Sequence, residues 1–131
     1  MRLACALLLS ALVAVPTAAQ DRGQFLFDFA PGHERERTAQ AAQIVDDAGG
    51  IYDAAVVFCS TTDGDTGLAH RRATMDLLVA AGADRHRVLD AGPCTAQISG
   101  HSRAYFGADK VWLSLTTVTV LENFIRERRG L

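Results

Sequence analysis

The run from Val56 to Ala73 constrains the fold more than any other stretch. It reads Val-Val-Phe-Cys-Ser-Thr-Thr-Asp-Gly-Asp-Thr-Gly-Leu-Ala-His-Arg-Arg-Ala. Val56, Val57 and Phe58 are β-branched or aromatic and suit a buried strand. Thr61 through Gly67 is turn chemistry, with glycines for positive φ and Thr and Asp side chains for local caps. Apolar positions then take helical spacing, which predicts a helix from about Gly67 to Ala81 with Asp65 or Thr66 as its cap. Leu68, Met75, Leu78 and Val79 form its apolar face, and Gly82 closes it. A strand, a turn and a helix in this order leave the Asp63 carboxylate at a strand end and the Arg72 guanidinium on the helix. A pocket between them suits a zwitterion: Asp63 accepts from an ammonium and Arg72 grips a carboxylate with its planar fork.

The flanking sequence repeats the alternation of periods. Gln24 to Phe29 places Phe25, Phe27 and Phe29 on one side of a strand, an aromatic face for the core. Pro31-Gly32 breaks it, and His33 to Ala48 reads as a helix with Ala41, Ile44, Val45 and Ala48 in one stripe. Gly49-Gly50 ends that helix. Asp53 to Ser60 is the second strand and His86 to Ala91 the third, stopped at Gly92-Pro93. Cys94 to Asp109 reads as loop. Lys110 to Val120 is the most strand-like segment, and Leu121 to Arg129 a short closing helix. The order β-α-β-α-β-β predicts an α/β (α+β) two-layer sandwich, a mixed sheet with two helices on one face.

Thr62-Asp63, the following Gly67, and Leu68-Ala69-His70-Arg71-Arg72-Ala73 resemble the T-D-x-x-G … L-S-x-x-R-A core of OmpA-like domains. The Phe-x-Phe opening strand and the turn after Leu78 resemble that family too, so the likeness spans most of the chain after its first residues. The resemblance implies a periplasmic, non-enzymatic module that binds peptidoglycan through its diaminopimelate-type peptide. Asp63 and Arg72 would be the ligand-binding pair, with Thr62 and Lys110 beside them. There are departures. Ser60-Thr61 stands where the family has Gly-His, the stretch between Asp63 and Arg72 is shorter, and Asp109-Lys110 replaces an Arg-Arg pair. They keep open an alternative: an interaction or scaffold domain of the same fold, in contact with another envelope protein, without peptidoglycan affinity.

Other chemistry is weakly signalled. Ser60, His70 and Asp63 could be assembled into a hydrolytic triad, but no G-x-S-x-G elbow is present. Asp63, Asp65 and His70 could meet a divalent cation, but EF-hand spacing is absent, and capping explains both aspartates. His33 has no second ligand at useful spacing, and its run His33-Glu34-Arg35-Glu36-Arg37 reads as a solvated face. No metal and no cofactor is implied.

Met1-Arg2, the apolar run Leu3 to Val15 and Pro16-Thr17-Ala18-Ala19 have the form of a secretory signal, predicting a leader at residues 1–19 and a single domain at 20–131. The apolar run is too short to span a bilayer. The formal net charge of −2 becomes one unit more negative once Arg2 leaves. A mildly acidic, mixed surface argues against nucleic-acid binding, which needs a clustered basic face. Cys5 leaves with the leader, so Cys59 and Cys94 remain in an oxidising compartment. If the second and third strands are parallel neighbours, the two cysteines sit side by side and a disulfide is geometrically reasonable. Two separately buried thiols are the alternative.

Overall fold

A computed structural model describes residues 23–128; the expected leader at 1–19 lies outside the described residues. Four strands, β1 (Gln24–Asp28), β2 (Ala54–Ser60), β3 (Val88–Pro93) and β4 (Lys110–Thr117), form one sheet in the order β1-β4-β2-β3. β4 runs antiparallel to both its neighbours, and β2 and β3 are parallel. The longer helices are α1 (Glu34–Ala48) and α2 (Gly64–Ala80). Two four-residue helices, α3 (Ala96–Ser99) and α4 (Arg103–Phe106), follow β3, and α5 (Val118–Arg128) follows β4. This is the expected mixed α/β sandwich, with two helices on one sheet face.

Alternation along the inner strands sorts the core into two clusters. Val56 and Phe58 of β2, Val111 and Leu113 of β4 and Phe27 of β1 face α1 and α2, where Ala41, Ile44 and Leu78 meet them. Phe27 and Phe58 are fully buried, which stabilises the fold by roughly 2 kcal/mol each. Val57, Cys59 and Trp112 point the other way and pack with Cys94, Ile98, Phe106 and Leu121. The second face is therefore covered too, by the segment after β3 and by α5. That is why Ala55 to Ser60 is buried without interruption, a pattern expected of strands covered on both sides.

Several boundaries differ from the sequence expectation. α2 starts at Gly64 with Asp63 at the capping position, three residues before the expected start. In its last turns Leu77 packs against the core while Val79 is exposed. β3 is displaced toward its C-terminus because Arg85–Arg87 forms a 3-10 turn, whose start is fixed by Asp84 accepting from the His86 amide at 2.9 Å. β3 then runs through Gly92-Pro93, which an edge strand tolerates. β4 stops at Thr117, whose hydroxyl accepts from the Val120 amide at 3.3 Å and caps α5. The β-branched run Val118-Thr119-Val120 is thus helical, tertiary context overriding propensity. No helix among the described residues is long and apolar enough to cross a membrane.

Candidate functional site

Ser60 ends β2 in the interior, and the chain must turn within three residues to start α2. Gly67 makes this turn possible. A Cβ there would lie 1.8 Å from the Thr62 carbonyl oxygen and 3.0 Å from Ser60 Oγ. The first turn of α2 thus rests directly on the backbone of the preceding loop. Thr61 and Thr62 fasten the other side of the loop to the start of β4. The Thr61 amide donates to the Lys110 carbonyl at 2.9 Å, and Thr61 Oγ1 accepts from the Lys110 amide at 3.0 Å. Thr62 Oγ1 accepts from the Asp109 amide at 2.9 Å. Asp109 itself adopts φ 59°, a left-handed conformation that Asp tolerates better than most residues.

Of the four residues of the expected ligand site, Thr62 and Asp63 share the loop latched to the start of β4 at Asp109 and Lys110, while Arg72 lies apart on α2. Asp63 is exposed and forms an ion pair with Arg103 of α4. Arg72 is exposed on α2 and makes no hydrogen bond or ion pair among the described residues. Thr62 spends its hydroxyl on the loop latch just described. Lys110 lies 3.3 Å from Asp28 Oδ2, the residue opposite it on β1. Helix geometry explains the separation of the first two. Nine residues of helix rise about 13 Å and complete about two and a half turns, so Arg72 projects from the side opposite Asp63.

The arginine that turns inward is Arg71. Its side chain is only 12 % exposed, with Nε 2.8 Å from Asp90 Oδ1 on β3. Its Nη1 donates to Ser60 Oγ at 2.7 Å. Ser60 Oγ in turn donates to the Thr62 carbonyl at 3.2 Å. Arg71 therefore ties the ends of β2 and β3 together where their register slips between Phe58 and Ser60. The sequence carried a signal for this: Gly67, Arg71, Thr74 and Leu78 follow the i, i+4, i+7, i+11 spacing of an inward stripe, and Arg72 is one residue off it.

Beside the loop, the His70 imidazole stacks on Phe29 with ring centroids 4.5 Å apart, and the Arg37 guanidinium lies 4.3 Å over the same ring. Arg37 also donates to the Asp28 carbonyl at 2.7 Å. Burial pushes the His70 pKa below its ordinary value, partly opposed by the Asp109 carboxylate, while Arg37 adds to the depression. A histidine of lowered pKa binds fewer protons folded than unfolded. Its contribution to stability is therefore present above about pH 6.5 and is lost as the pH falls toward the folded pKa. Denaturant titrations of the wild type and of His70→Gln between pH 7.5 and 5 should show a shallower acid loss in the variant. Parallel pH profiles would remove His70 as a cause.

Ser60, His70 and Asp63 are each engaged elsewhere, and no hydrogen bond joins any two of them. Among the described residues no group of three or more His, Cys, Asp or Glu side chains is gathered as metal ligands are. Cys59 and Cys94 lie at disulfide distance, S–S 2.01 Å and Cα–Cα 4.8 Å, immediately beneath this loop. The Cys94 amide donates to the Ser60 carbonyl at 2.8 Å, so the segment carrying Arg103 leaves the sheet beside the strand end that carries Asp63. Comparison with protein-family models, with curated proteins and with solved structures returns no significant match.

Proposed function

We propose that the chain is a non-enzymatic, OmpA-like module of the cell envelope that binds the zwitterionic peptide of peptidoglycan. The observation that carries this reading is the Asp63–Arg103 pair. It sets an accessible carboxylate and an accessible guanidinium together beyond the C-terminal end of β2, with side chains 65 % and 41 % exposed. Clefts beyond the C-terminal ends of parallel strands are the usual ligand position in open α/β sheets. An amino acid bearing a free ammonium and carboxylate can replace the pair's internal contact with two of its own. Asp63 takes the ammonium, and Arg103 takes the carboxylate in place of Arg72. The periplasmic location belongs to the same proposal and rests on the signal-like residues 1–19.

One feature favours the second reading, a scaffold domain that contacts another envelope protein and has no wall affinity. Asp63 and Arg103 already neutralise each other, so a ligand must first part them. Co-sedimentation with purified sacculi separates the two readings. Under the binding reading the wild type sediments, while Asp63→Ala and Arg103→Ala each weaken binding about tenfold or more, the scale of one lost charge-assisted contact. Arg72→Ala remains bound. A wild type left in the supernatant gives the scaffold reading. Loss in Arg72→Ala but not in Arg103→Ala restores the Asp63–Arg72 grip.

A further inference from the structure

At the opposite end of the sheet from Asp63 lies a groove of about 540 Å³, within the size range of small-molecule sites. Its floor is apolar: Ile44, Val45 and Ala48 of α1, and Ala55 and Val56 of β2, with Val88 of β3 beside them. Its rim is Ile51, Tyr52, Asp53, Asp84 and Arg87. Tyr52 is 95 % exposed, unusual for an aromatic side chain in a domain with a complete core beneath it.

The charge around this groove is one-sided. Arg87 is the single cation of the lining, and it is occupied: its Nη1 lies 2.6 Å from Asp53 Oδ1. Arg85 and His86 are exposed and do not line the groove. Asp84 accepts from the His86 amide and lies close enough to Arg87 to favour its charge, and it keeps an exposed carboxylate at the rim. Both long helices end here, α1 at Ala48–Gly49 and α2 just before Gly82–Ala83, and neither has a basic residue in its last turn. The last turn of α1 carries Asp46 and Asp47 instead, the sign that the negative end of a helix dipole disfavours. Two carboxylates, Asp53 and Asp84, against the one guanidinium of the lining, with two helix C-termini beside them, thus bias an apolar cavity toward positive charge.

We infer that this groove is a binding site for an amphipathic organic cation, an ammonium group carried on an apolar body. The body fills the floor between α1 and β2. The ammonium lies at the rim, near Asp84 and the helix ends, where the Tyr52 ring can add a cation–π contact. The site is remote from the Asp63 loop and independent of any affinity for the wall.

Three probes with one apolar body and different heads test it: octylammonium, octanol and octanoate, titrated into the folded protein and followed by amide chemical shifts. Octylammonium should bind saturably, with shifts centred on Ala54, Gly82 and Val88, and about tenfold or more tighter than octanoate. Asp84→Asn keeps the cap on the 3-10 turn, since Asn caps as well as Asp, and should reduce that preference at least about threefold. Ala48→Phe, placed to fill the floor, should abolish binding of all three while the far-ultraviolet spectrum stays that of the wild type. No saturable binding of octylammonium to the wild type would overturn the inference, and so would equal affinity for octylammonium and octanoate.

Discussion

Cross-linked and uncross-linked forms of the domain should differ in unfolding free energy by about 4 kcal/mol, the entropy that a bond between residues 59 and 94 removes from the unfolded chain. The sulfurs close a loop with a sequence separation of 35, and both cysteines are buried, at 0 % and 2 % exposure. Urea unfolding of the oxidised protein and of the double variant Cys59→Ala, Cys94→Ala measures the difference. Each single variant should fall at least as far as the double, because it leaves one unpaired thiol in the cluster with Val57 and Trp112. Thiol titration of the unfolded, unreduced domain beginning at residue 20 should find no reactive group. Two free thiols per chain would show that the cysteines are merely neighbours.

Gly67→Ala should be the most damaging of the conservative substitutions, with a loss on the order of 3 kcal/mol. The added methyl collides with backbone, the Thr62 carbonyl, rather than with the free end of a side chain. Relief requires α2 to lift or the loop to shift, and either movement strains the Thr61 and Thr62 bonds to β4 and the Arg71 contact with Ser60. Gly49→Ala is the matched control. Gly49 has φ −63°, and its added Cβ meets the Asp46 carbonyl oxygen at 3.3 Å, a mild crowding. Denaturant midpoints of the two variants should therefore separate clearly. A Gly67→Ala protein within about 0.5 kcal/mol of wild type would show that the first turn of α2 does not bear on the loop.

The sheet was legible because its strands are strongly patterned. Phe25, Phe27 and Phe29 announce one buried face, and the apolar run Val56-Val57-Phe58 announces a buried strand, which the structure covers on both sides. Ends were less legible, because they are decided by single hydrogen bonds. Thr117 capping Val120 turns three β-branched residues into helix, and Asp84 accepting from His86 delays β3. The sequence places Asp63 and Arg72 on one strand–turn–helix unit but does not say which arginine of the helix turns inward. Asp63 was located at its strand end, yet one residue of helix, about 100°, separates the inward Arg71 from the outward Arg72. Arg103 was beyond reach from sequence. It sits in a segment without periodicity, and only the three-dimensional course of the chain after Cys94 brings it to Asp63.

The strand order has a consequence for how the chain comes to be folded. β4 is central, yet it is the last strand to be made, and it inserts between β1 and β2. Gln24 pairs with Ser114 and Ala54 with Thr117, so nearly the whole described chain must exist before either pairing forms. Until then β1 has no partner strand, and β2 can pair only with β3 along its other edge. A nascent chain of this topology stays open as it leaves the ribosome. Its closure depends on long-range contacts, a class that folds in milliseconds to seconds rather than microseconds. Under the proposed envelope location, such a delay keeps the polypeptide threadable until β4 has followed.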